Sequence, residues 1–105
     1  MIIYIAAPYS KGDIGENLHT VFEVADAILM KGHIPYIPHL THFWHIVSPK
    51  PLGFWYKYDL YFLNLCDALI RIPGDSIGAD REEARATQLG KTIFHSIDEI
   101  PWLTS

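Results

Sequence analysis

The apolar positions of this chain alternate between short unbroken runs and stretches with helical spacing. Residues 2–6 (IIYIA) are apolar throughout and too few for a helix, which predicts a strand covered on both faces. Residues 7–13 carry Pro8, Ser10, Gly12 and Asp13, the chemistry of a turn. From about Asn17 the apolar residues fall at Leu18, Val21, Phe22, Ala25, Ile28 and Leu29, a helical spacing with Gly32 as its stop. Residues 34–37 predict a second short strand, ended by Pro38. Residues 38–53 have no clean period and hold Pro38, Pro49 and Pro51, which predicts a long loop with room for one helical turn. A loop of that length in a small domain commonly covers a site. Helical spacing returns over 54–66 through Trp55, Tyr58, Phe62 and Leu65. A third strand (68–72), a loop (73–78), a helix (79–89) stopped by Gly90, and a fourth strand (92–95) complete the chain.

Strands that alternate with helices imply right-handed crossovers and a parallel sheet. The expected fold is α/β, a three-layer doubly wound, flavodoxin- or Rossmann-like parallel sheet of four or five strands, with residues 1–105 as one domain. Ligands in such folds bind beyond the carboxyl ends of the strands, where strand order reverses. The loops over 7–15, 38–53 and 73–78 occupy that edge.

Composition narrows the function class. At 105 residues, half of them apolar and 19% charged, the chain can bury a core without a disulfide or structural metal. The single Cys66 has no internal partner, pointing to a reducing, cytoplasmic setting. A net charge of −4 and no basic patch argue against a nucleic-acid polymer as partner. The apolar runs fall far short of the ~20 residues of a membrane span. The N-terminus lacks the basic flank of a signal peptide. Three Trp, six Tyr and five Phe exceed what a core this small usually holds. Many lie between Phe43 and Phe62, as a pocket wall, a subunit interface or ordinary core filling. Together with the short chain, they lead us to expect a homodimer or higher homo-oligomer.

The candidate chemistry lies in three places. Residues 75–82 (DSIGADRE) follow a strand and open a helix. There Ser76 can cap, Gly78 permits close backbone approach, and the free amides with Ala79 form an anion site. Glu82 lies about one turn in and can face the same crevice, although Asp80, Glu82 and Glu83 also suit the helix dipole alone. Asp59 sits within the aromatic stretch 55–62, either solvent-facing and paired with Lys57 or buried with a shifted pKa. Pro8, Tyr9 and Ser10 form the loop after the first strand; neither G-x-G-x-x-G nor G-x-x-x-x-G-K is present. His39, His42 and His45 are spaced by three, which on a helix drifts by about 60° per step and gives no shared ligating face, so no metal is expected. One of these histidines, His39 at the end of the second strand ahead of the other two, is instead a candidate substrate contact.

In this order the segments 4–10 (YIAAPYS), 32–39 (GHIPYIPH), 59–69 and 76–90 (S-x-G-A-x-x-E-x-x-x-A-x-x-x-G) resemble the nucleoside 2-deoxyribosyltransferase-like superfamily, which includes 2′-deoxynucleoside 5′-phosphate N-hydrolases. The resemblance implies cleavage or transfer at the N-glycosidic bond of a nucleoside or its monophosphate, without a cofactor. Glu82 would be the nucleophile at the anomeric carbon, Asp59 would protonate the leaving base or hold Glu82 and the sugar hydroxyl, and Tyr9 would contact the sugar or orient Glu82. Serine at position 76, where transferases of unphosphorylated nucleosides tend to carry an acid, implies a 5′-phosphate. The alternatives are a non-catalytic nucleotide-binding module of the same fold and a structural or interaction domain.

Overall fold

Alternation along the first strand decides which layer each helix joins. In the computed structural model, which describes residues 1–103, strand β1 spans Ile2–Ala6. Its Ile3 and Ile5 pack with Val21, Ala25 and Ile28 of helix α1 (Ile14–Met30) on one face. Tyr4 and Ala6 turn to the other face, against Leu63 of α3 (Phe54–Leu65) and Ala79 and Ala86 of α4 (Ile77–Gln88). Each fully buried aliphatic side chain in these two cores contributes about 1.5–3 kcal/mol. The result is the expected three-layer α/β fold.

The remaining strands are β2 (Ile34–Tyr36), β3 (Ala68–Arg71) and β4 (Thr92–Phe94), all parallel, in the order β2-β1-β3-β4. Tyr4 stands opposite Tyr36 on one side and Leu69 on the other. Because β1 lies between β2 and β3, strand order reverses beside it, and a crevice opens at its carboxyl end. Behind the sheet, the buried Lys31 ammonium donates to the carbonyls of Ile97 (2.6 Å) and Ile100 (2.8 Å), holding the C-terminal segment on α1.

Two boundaries differ from the pattern reading for physical reasons. Helix α1 begins at Ile14, because Asp13 accepts from the Glu16 amide (3.1 Å) as an N-cap, where its composition reads as turn. The stretch 38–53 is not a loop with one turn. It holds a 3-10 turn (Pro38–Leu40) and a two-turn helix α2 (Thr41–Val47). Helix α2 buries none of its residues, so it leaves no apolar stripe for periodicity to detect. The other elements end within two residues of their expected positions.

Candidate active site

Three anchors fix the loops around the crevice. The Asn17 side chain donates to the carbonyls of Tyr9 (2.9 Å) and Lys11 (2.7 Å), tying the loop after β1 to the first turn of α1. At the end of β3 the buried Arg71 guanidinium donates to the carbonyls of Ile72 and Gly74 and pairs with Asp80 at 2.8 Å, locking the loop before α4 to that helix. Gly74 then passes so close to Pro8 that a Cβ there would lie 2.6 Å from the proline ring, and its φ of +128° favours glycine in any case. At the mouth of α4, Ser76 Oγ accepts from the Ala79 amide at 3.1 Å. By helix geometry the amides of Ile77 and Gly78 then have no intrahelical acceptor, and they carry the positive end of the helix dipole.

Two carboxyl groups meet this helix end from the protein side. Glu82 lies on the buried stripe of α4 with Ala79 and Ala86, and its Oε2 accepts from the hydroxyl of Tyr4, which is itself fully buried. Burial pushes the Glu82 carboxyl up to about 8. Asp59 lies on the buried side of α3, one turn before Leu63, and its Oδ1 accepts from Tyr36 at 3.0 Å. Burial raises it to about 7, against the opposing effect of the Tyr36 hydrogen bond. The Tyr4 and Tyr36 rings lie 5.3 Å apart, so two Tyr–carboxyl pairs stand side by side on neighbouring strands. The solvent-facing pairing of Asp59 with Lys57 is therefore replaced by the buried alternative.

A cavity of about 460 Å³ opens over these groups. Its lining includes Tyr9, His39, Asp59, Ser76, Gly78 and Glu82. Within it, His39 Nε2 donates to the Pro8 carbonyl (3.2 Å), leaving Nδ1 as a buried acceptor without a partner among the described residues; burial lowers the pKa of this imidazole. The Tyr9 hydroxyl is likewise buried and unpartnered, and burial raises its pKa. Both atoms are closed off from solvent, and each is a buried polar group without the partner that folded proteins normally supply. No group of three His, Cys, Asp or Glu side chains among the described residues is arranged to hold a metal ion.

The family model of a domain of unknown function, DUF7768, matches residues 1–96. The chain belongs to that family. No curated protein matches the chain with significance. Among solved structures, this DUF7768 domain is similar to a 2-deoxyribosyltransferase from the psychrotolerant bacterium Bacillus psychrosaccharolyticus. The TM-score is 0.69 at 23% identity, over 89% of this chain and 69% of the other. At that identity the likeness establishes a shared fold.

The DUF7768 structure brings Glu82, Asp59, Tyr9, Ser76, Gly78, Ala79, Ser10 and His39 to one cavity. Pro8 lies outside it and contributes through its carbonyl and its contact with Gly74. The hydroxyl that bonds Glu82 comes from Tyr4, with Tyr9 elsewhere in the wall. Sequence reasoning passed over Tyr4 and Tyr36 as site residues; it weighed His45 with the other histidines and counted Trp55 among the aromatics of a pocket wall, without pairing the two. For Tyr4 a signal existed: a tyrosine in a strand buried on both faces must find a partner for its hydroxyl. No helix among the described residues is long and apolar enough to cross a membrane.

Proposed function

We propose that this domain cleaves or transfers the N-glycosidic bond of a nucleoside or its 5′-monophosphate. The observation that carries the proposal is the convergence of two buried, tyrosine-bonded carboxyl groups on one cavity with the amide-rich mouth of α4. The similarity in fold to a 2-deoxyribosyltransferase supports the same chemistry. A Glu82 carboxylate oxygen attacks the anomeric carbon, and the electron pair of the breaking C–N bond leaves with the base. Asp59 gives that base its proton. Water or a second base then displaces Glu82 from the glycosyl-enzyme. Ser76 and the free amides of Ile77 and Gly78 suit a phosphate on the sugar. No step requires a cofactor.

The test is chromatographic release of free base from a panel of deoxynucleosides and their monophosphates, comparing wild type with Glu82→Ala. Wild type is expected to release base and the variant to lose at least a thousandfold in rate, about 4 kcal/mol of barrier. Full activity in the variant, or no release by wild type from any substrate, overturns the catalytic proposal. One feature favours the non-catalytic nucleotide module instead: burial raises the Glu82 carboxyl to about 8, which disfavours the carboxylate that must attack. Tight nucleotide binding by calorimetry without base release would select that module.

A further inference from the structure

Helix α2 and the start of α3 form a part of the cavity wall that the chemistry above does not use. His45 and Trp55 both line the cavity. His45 Nδ1 accepts two hydrogen bonds, from the Trp55 indole Nε1 at 2.8 Å and from the Lys50 backbone amide at 3.2 Å. A ring nitrogen that accepts carries no proton, so the neutral imidazole must hold its proton on Nε2. The protein thus fixes the tautomer through the bonds that Trp55 and the Lys50 amide make to Nδ1. Nε2 makes no hydrogen bond of its own among the described residues. One directed donor is left over on a ring whose other nitrogen is fully used.

We propose that His45 is a base-recognition residue, whose Nε2–H donates to a ring-nitrogen acceptor on a purine leaving group. The identity of the ligand rests on the glycosidic chemistry proposed above; the donor itself does not. Position supports the assignment. Trp55 precedes Asp59 by four residues on α3, so the two side chains lie on one face of the helix about one turn, roughly 5–6 Å, apart, and His45 is bonded to Trp55. A heterocycle whose glycosidic nitrogen lies near Asp59 extends into that turn. There it meets an aromatic wall, since Trp55 packs against Trp44 and Tyr58, and the Tyr9 ring lies 4.8 Å from that of His42. As the C–N bond breaks, its electron pair passes to the base and density rises on the purine nitrogens. A donor held there strengthens its bond in the transition state and so acts on turnover as well as binding.

The experiment pairs a variant with atom-deleted substrates. In His45→Asn the Oδ1 atom takes the place of Nδ1 and can keep both inward hydrogen bonds, while the Nε2–H is lost. Retention of the Trp55 indole proton resonance shows that the wall is intact. The probes are 2′-deoxyadenosine 5′-monophosphate and its 7-deaza and 3-deaza analogues, each lacking one ring acceptor. Base release is measured with each, as is calorimetric binding to the Glu82→Gln background. His45→Asn is expected to lower kcat/KM or affinity for the parent about tenfold, a loss of roughly 1.4 kcal/mol. One analogue is expected to be about tenfold weaker in wild type and to lose nothing further in the variant. His45→Gln, whose amide reaches the Nε2 position, is expected to recover part of the loss. Equal losses on all three probes, no loss on any, or no binding of the parent overturns the assignment. If the nucleotides bind with this pattern but no base is released, the glycosidic proposal fails and His45 stands. Base release with a flat pattern gives the reverse.

Discussion

Replacing Glu82 by Gln should make the domain more stable as the pH rises. The Glu82 carboxyl titrates at 4.5 in a free chain and is pushed to about 8 in the fold, because burial penalises its charged form. Between those values the folded state keeps a proton that the unfolded chain gives up. Stability from this group is therefore complete below pH 4.5 and is lost as pH rises to 8. At about 1.4 kcal/mol per pH unit, the loss reaches roughly 3 kcal/mol by pH 7 and roughly 5 kcal/mol above pH 8.5. That is a large share of the roughly 5–15 kcal/mol by which domains are stable. Glutamine has the same shape, still accepts from Tyr4, and carries no proton to lose. The stability of Glu82→Gln relative to wild type should thus increase by roughly 3 kcal/mol between pH 5.5 and 8. Urea unfolding of both proteins across that range measures it; titrating groups remote from Glu82 cancel in the difference, and the same comparison in an Asp59→Asn background removes the neighbouring carboxyl. The Tyr4 hydroxyl opposes the effect, since a donor to Oε2 favours the carboxylate. A gap that widens by less than about 1 kcal/mol would refute the reasoning and mean that this hydrogen bond outweighs burial.

If Glu82 acts ionised and Asp59 acts protonated, kcat/KM for base release should follow a bell centred near pH 7.5. The pair's groups sit at about 8 and about 7, so only a small fraction holds both in the active form, and the limbs belong to the pair together. Tyr4→Phe removes the donor that favours the Glu82 carboxylate. It should lower the bell and move its alkaline limb, set by Glu82 as the higher of the two groups, to higher pH, cutting kcat/KM at pH 7 by about 10- to 100-fold with little change in KM; an unchanged profile would leave Tyr4 with a packing role only. The exposed apolar side chains Phe43, Trp44, Ile46 and Val47 on α2 should be covered by self-association. Light scattering at micromolar concentration is expected to give at least twice the chain mass, and a 12.0 kDa particle would refute this.

The elements that bury a stripe or a full strand were legible because burial writes a period into the sequence. Residues 2–6 and 68–72 read as strands, and the sheet confirms both to within one residue. Helix α2 was illegible for the same reason reversed: it buries nothing, so its side chains answer to the cavity on one side and to open surface on the other. The candidate site divides along a similar line. Ser76 and Glu82 sit in one local segment, where cap chemistry and spacing are visible. Tyr4 and Tyr36 reach their carboxyl partners across 78 and 23 residues of chain, a relation that only the sheet register supplies. His45 and Trp55 are ten residues apart on two different helices, so no period connects them.

The two alanines flanking Glu82 show how fold and site depend on each other. Ala79 and Ala86 are the other buried residues of α4, and both pack in the cluster that holds Tyr4. Small side chains on that stripe let the helix axis approach the sheet closely, which brings a glutamate in the same stripe within reach of a tyrosine on the central strand. Larger residues there would add apolar burial, at about 25 cal/mol per Å², but would lift α4 and separate Glu82 from Tyr4. The helix instead gives up that burial and accepts a buried carboxyl whose charging is unfavourable in the fold. A helix serving stability alone has no need of that combination. The same close approach sets the Ser76 cap and the free amides of Ile77 and Gly78 at the cavity mouth, because they open the helix that carries Glu82. Free amides and carboxyl are thus placed by one rigid element, and Arg71 fixes its start to the end of β3.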